Sequence, residues 1–141
     1  MDTRPTTDRI KETLFNMLQN DVPGCYFLDL FAGSGQIGLE AVSRGARYAA
    51  FVENNKKACT CIEDNIHFTK FDRETKLLQS DVISAIRSME GKYKFDVIFM
   101  DPPYKHEYEK EDFGMFKRFL YFKRRYADHC RGIFGHFILI I

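Results

Sequence analysis

The sequence predicts an α/β fold, a parallel sheet with helices on both faces. Strand-like and helix-like stretches alternate along residues 25–101, at the spacing of βαβ units. A glycine-rich turn, "AGSG", joins the first apolar run to the helix that follows it. Four successive strand-like runs end on an acid: Asp29, Glu53, Asp81 and Asp101.

Each element has its own local reason. In "TTDRIKETLFNMLQN", Ile10, Leu14, Met17 and Leu18 recur at helical spacing, Thr6 or Thr7 can cap, and "DVPG" ends the helix. This helix stands outside the alternation and is expected at the sheet's end. "CYFLDLF" is a short apolar run, read as a buried strand. "AGSGQIGLEAVSRGA" turns on glycine and continues as a helix that stops at Gly45. "RYAAFVENN" is a second strand, and "KKACTCIEDNIHFTKF" a second helix of the alternation with Ala58, Ile62 and Ile66 on one side. "TKLLQSD" is a weaker strand, "VISAIRSME" a helix closed by Gly91, and "KFDVIFMD" a fourth strand.

Bulk composition narrows the function classes. A chain of 141 residues suffices for one domain with a real core, and one domain over 1–141 is expected. A formal charge of +1 gives no global basic field, though a local basic patch remains compatible with it. No apolar run approaches the roughly 20 residues of a membrane span. No signal peptide opens the chain, so a cytoplasmic protein without a membrane is expected. Cys25, Cys59, Cys61 and Cys130 match no zinc template, and no metal is expected. Cys59 and Cys61 are two apart in a helix and should face different ways.

The glycine turn and the acids carry the chemistry. Gly33 and Gly35 let the backbone turn tightly and approach a ligand with no Cβ in the way. With Gly38 they nearly spell a dinucleotide-binding G-x-G-x-x-G, but Asp29 just before the turn would repel a pyrophosphate and welcome a cation. Glu53 stands twenty residues past Gly33, where an acid can accept both hydroxyls of a ribose. Any one strand-end acid is explained as a helix cap. Four along one edge describe a ligand with a ribose, a base bearing donors and a positive centre, and no phosphate. S-adenosylmethionine fits this description; NAD fits it worse because of Asp29.

Together "DLFAGSGQIGLEAVSRGA", "VENN" and "DPPY" resemble the Rossmann-like class I methyltransferases of the amino-directed kind. With "RPTTDRIKETLFNML" in front, the chain resembles the bacterial methyltransferases that modify a guanine exocyclic amine in 16S ribosomal RNA. The resemblance covers about residues 3–111. It implies that Asp29 and the turn Phe31, Ala32, Gly33, Ser34, Gly35 hold the methionine part of the cofactor. It implies Glu53, with Asn54 beside it, at the ribose, and Asp81 with Val82 at the adenine. Asp101 is implied at both cofactor and target. Arg4, Thr6 and Arg9 would lie near the RNA substrate, which is 16S ribosomal RNA or a small-subunit assembly intermediate; a capped, solvated helix start is their plain alternative.

The corner Asp101, Pro102, Pro103, Tyr104 then has a chemical purpose. A guanine exocyclic amine is a poor nucleophile, because its lone pair is delocalised into the ring. It must be held in line with the methyl donor, and acceptors must stabilise the positive charge that develops on it. The Asp101 carboxylate and the Pro102 carbonyl can accept. Pro102 and Pro103 stiffen the frame and remove N–H donors. Tyr104 can stack on an extruded base. Aspartate rather than asparagine in the first position favours guanine, by resemblance. The alternatives are an adenine amine, a protein amide, or a catalytically dead remnant that binds cofactor or RNA.

After Glu111 the resemblance stops. The family continues with a helix and a strand like "DTLIIVEA"; here "DFGMFKRFLYFKRRYADHCRGIFGHFILII" has poor helical period and only "FILII" looks like a strand. Reverse translation of "EDFGMFKRFLYFKRRYADHCRGIFGH" with a one-base forward shift permits "KILECLKDFFISKEDTLIIVEASLD", which is the helix and strand the family requires. The expectation is a fold truncated or altered after residue 111 by a frameshift, in the gene or in its recorded sequence; if the frameshift is real in the protein, the sheet would lack its later strands. On that reading the aromatic and cationic residues of "FKRFLYFKRRY" are accidental and mark no RNA site. The family's short β-rich extension before "RPTTDR" is also missing, which would reduce RNA affinity.

Overall fold

The computed structural model describes residues 4–100 and 134–140. Helix α1 spans Arg4–Met17, strand β1 Tyr26–Asp29 and helix α2 Gln36–Ser43. Strand β2 spans Tyr48–Glu53, helix α3 Lys56–Thr69, strand β3 Thr75–Gln79 and helix α4 Val82–Met89. Strands β4, Phe95–Phe99, and β5, Phe134–Ile140, follow. The five strands form one sheet in the order β3-β2-β1-β4-β5, and every pairing is parallel.

Side-chain alternation along the strands explains why helices cover both faces. Phe27, Ala49, Phe51 and Val97 share one buried cluster with Phe15 of α1, Leu39 of α2, and Ile62 and Ile66 of α3. Their neighbours Leu28, Ala50, Val52 and Ile98 share the other with Val82, Ala85, Ile86 and Met89 of α4. Strands buried on both faces read as continuous apolar runs. The outer strand β3 is only partly buried, so its sequence reads weaker. Cys59 is buried and Cys61 exposed, as their spacing predicts. Burial, with Asp96 nearby, pushes the Cys25 thiol up to about 12, so it stays neutral.

Two expectations are corrected. First, α1 packs on the sheet's face rather than its end: the Phe15 ring stacks on Phe27 of the central strand, with centroids 6.3 Å apart, and the Arg44 guanidinium lies over Phe15. Its inward face is Phe15 and Leu18, while Met17 is 75% exposed. At about 100° per residue, Met17 lies roughly 110° round the helix from the middle of the Leu14–Phe15–Leu18 stripe. Second, α1 begins at Arg4, so Thr6 and Thr7 fall inside its first turns instead of capping it. Pro5 suits that start, because the first turn's N–H groups have no helical partner to lose. The strand read from "FILII" is present, beside β4. Phe134–Ile140 pairs along it, with Val97 opposite Ile138 and Phe99 opposite Ile140. An apolar, β-branched segment is what a parallel sheet edge accepts, and "FILII" supplies it.

Candidate functional site

The strand order reverses direction between β1 and β4, and in such sheets ligands bind outside the carboxyl ends of the strands near that point. There β1 ends at Asp29, opposite Phe51 of β2 and Phe99 of β4. Asp29 is 1% exposed, the only polar or charged residue among the described residues buried so deeply. A buried carboxylate is tolerable only when hydrogen-bonded; its Oδ1 accepts from the Phe31 N–H at 3.1 Å.

The turn that follows is fastened from both sides. The Leu30 N–H donates to the Phe99 carbonyl and the Ala32 N–H to the Val52 carbonyl, so the chain leaves β1 still tied to both neighbours. Gly33 has φ 60° and Gly35 φ 83°, conformations that L side chains adopt rarely. Among the described residues no atom lies within 4 Å of where a Cβ on Gly33 would stand, so none of them crowds the turn there. Gly38 has another role: a Cβ there would fall 2.2 Å from Cε1 of Phe51, so its absence lets α2 lie against β2.

Glu53 closes β2 and links directly to the turn. Its Oε1 accepts from the Gly33 N–H at 2.8 Å and its Oε2 from the Asn55 N–H at 2.9 Å. Each carboxylate oxygen has a further lone-pair site, so both remain able to accept a hydroxyl. Asn54, beside it, is exposed. Asn55 caps α3, its Oδ1 accepting from the Ala58 N–H at 2.9 Å. The Ser80 N–H donates to the Glu53 carbonyl at 3.0 Å, drawing the end of β3 to the same edge.

Asp81 lies two residues beyond β3 and is the cap of α4, accepting from the Ser84 N–H at 2.9 Å. That bond holds its carboxyl below the ordinary aspartate value. Here the plain cap explanation is what the geometry displays, although the residue stands at the carboxyl edge with the other two acids. Val82 puts its side chain in the core, leaving its backbone as the part that can face a ligand. Met100, one residue past β4, is buried. Asp101, Pro102, Pro103 and Tyr104 lie outside the described residues. Arg4, Thr6 and Arg9 fall in the first turns of α1, and Arg9 is exposed.

So Asp29, Glu53 and the 31–35 turn, proposed from sequence, are brought together. Asn65 of α3 was not foreseen: its Nδ2 donates to the Ser34 carbonyl at 2.9 Å. Its only sequence signal is a polar residue one position before the inward-facing Ile66, and thirty-one residues separate it from its partner. Among the described residues no cluster of His, Cys, Asp and Glu could hold a metal, and no helix is long and apolar enough to cross a membrane.

A parallel 3-2-1-4-5 sheet with a glycine turn after β1 and acids at the carboxyl ends of β1 and β2 is the class I methyltransferase fold. The SAM-dependent methyltransferase of Agrobacterium tumefaciens shares it: that structure is 22% identical, with a TM-score of 0.66 over 96% of this chain and 44% of that one. The chain belongs to the family described as "Conserved hypothetical protein 95", which it matches over residues 1–120. The "Ribosomal RNA small subunit methyltransferase D" of Haemophilus influenzae is 37% identical over 102 residues, covering 72% of this chain and 53% of that protein. The protein of the same name from Escherichia coli K12 is 35% identical over 102 residues, covering 72% and 50%. A conserved hypothetical protein of Streptococcus pyogenes is 44% identical, with a TM-score of 0.62 over 67% of this chain and 57% of that one. The chain spans about half the length of the curated relatives it matches.

Proposed function

We propose that this protein transfers a methyl group from S-adenosylmethionine to the exocyclic amine of a guanine in 16S ribosomal RNA, in the cytoplasm. The observation that carries the reading is the buried Asp29 and the half-buried Glu53 bracketing a glycine turn at the carboxyl ends of adjacent strands. The donor set suits this cofactor. Asp29 offers negative charge toward a cationic amino acid moiety, Glu53 offers acceptors for two ribose hydroxyls, and the 31–35 turn itself contains no cation for a phosphate. When bound, S-adenosylmethionine supplies a methyl group made electrophilic by its sulfonium. Its adenine would lie near Asp81 and the backbone of Val82.

At the target, Asp101 and the Pro102 carbonyl accept hydrogen bonds from the guanine amine, which orients its nitrogen and stabilises the charge it develops. Pro102 and Pro103 keep that frame stiff, and Tyr104 stacks on the base. Arg4, Thr6 and Arg9 approach RNA phosphates. These roles come from the resemblance, and the names of the curated relatives support the RNA class. Naked 16S RNA and an assembling small subunit are both candidate substrates.

Calorimetric titration with S-adenosylhomocysteine comes first, using the full chain and Glu53→Ala. Binding near micromolar is expected, weakened about tenfold or more in the variant, the worth of one or two hydrogen bonds to a charged group. Labelled methyl transfer to 16S RNA, followed by nucleoside analysis, should then give N2-methylguanosine. A methylated adenine or a labelled protein would replace the substrate. A folded chain that does not bind the cofactor product overturns the reading.

A further inference from the structure

We infer that Asn65 is a positioning residue for the glycine turn, and that it tunes affinity for the amino acid half of the cofactor. This rests on the S-adenosylmethionine reading above. Asparagine is a mediocre helix former, and Asn65 sits in the last two turns of α3, half-buried. Its carboxamide reaches across to another element, with Nδ2 2.9 Å from the Ser34 carbonyl oxygen. A carbonyl can only accept, so the amide nitrogen must face it, which fixes the orientation of the group.

The consequence is local and specific. The Ser34–Gly35 peptide is held at both ends, its carbonyl by Asn65 and its N–H by the Ala32 carbonyl at 2.8 Å. One turn earlier on α3, Ile62 lies against Gly35, where a Cβ would stand 3.3 Å from it. Thus α3 grips one side of the turn with a hydrogen bond and a packing contact, while Glu53 grips the other through the Gly33 N–H at 2.8 Å. Glycine-flanked peptides rotate easily when a partner is removed. Loss of the Asn65 donor therefore frees the Ser34–Gly35 peptide while leaving Glu53 in place. The part of the ligand that sits on the turn should suffer, and the part that sits on Glu53 should not.

The test uses two probes with the full chain: S-adenosylhomocysteine, and 5′-methylthioadenosine, which keeps the nucleoside and lacks the amino acid end. Asn65→Asp keeps the shape but turns an acceptor toward the Ser34 carbonyl. It should weaken S-adenosylhomocysteine about tenfold, as expected for a lost hydrogen bond with an unpaired carbonyl, and leave methylthioadenosine affinity unchanged. Glu53→Ala should weaken both. Asn65→Ala runs in parallel and carries the test if the aspartate variant does not fold. Equal losses for both probes, or no loss for either, overturn the positioning role and leave the cofactor reading standing. A folded wild-type chain that binds neither probe overturns both.

Discussion

At the residue scale, the site depends on atoms that are absent as much as on those present. Gly38 has no Cβ because Phe51 occupies the space 2.2 Å from where one would be. Gly38→Ala should cost about 2–3 kcal/mol, the scale of overpacking against a rigid ring in a filled core, measured by urea unfolding. A loss under a few tenths would mean that the ring moves aside. Asp81 makes a different prediction. Its hydrogen bond from Ser84 lowers its folded-state pKa, so its stabilisation is fully present above the ordinary aspartate value of 3.8 and fades as pH falls through the lowered folded value. The stability gap between wild type and Asp81→Ala should therefore be flat near neutrality and close in acid. A gap that widened in acid would contradict the cap's charged form.

At the element scale, α3 serves the site from its start to its last turns. Asn55 caps it and gives its N–H to Glu53, Ile62 backs Gly35, and Asn65 holds Ser34. Asn55→Ala should cost about 1 kcal/mol through the lost cap, seen as a lower urea midpoint with unchanged slope. The helix itself was legible from Ala58, Ile62 and Ile66 at helical spacing. Its grip on the turn was not, because periodicity tells which face is buried and is silent on which loop that face meets. The same limit explains α1: a helical pattern marks a stripe, but Phe27 selected Phe15 for its centre and left Met17 in solvent.

At the scale of the whole molecule, the sheet's far edge is the sensitive part. Strand β5 covers β4, and an uncovered apolar strand invites pairing between chains. Removing residues 134–141 should shift the protein toward aggregates in size-exclusion chromatography; a monomeric, equally stable product would mean that β4 needs no cover. The segment before β5 raises a separate question, which the gene answers. Codons for residues 111–136 are expected to yield the family-like helix and strand when read one base forward. If they do not, the frameshift explanation fails.

The sequence by itself determined the alternation of elements, the strand ends at Asp29 and Glu53, the glycine turn between them and the family. These are local: strand period, turn conformation and acid spacing are set by neighbouring residues in the chain. Only the tertiary structure decided that Glu53 holds Gly33, that Asn65 holds Ser34, and that Phe134–Ile140 lies along β4. Each of those depends on a partner that another element brings into hydrogen-bond range, and no short stretch of sequence contains both halves of the contact.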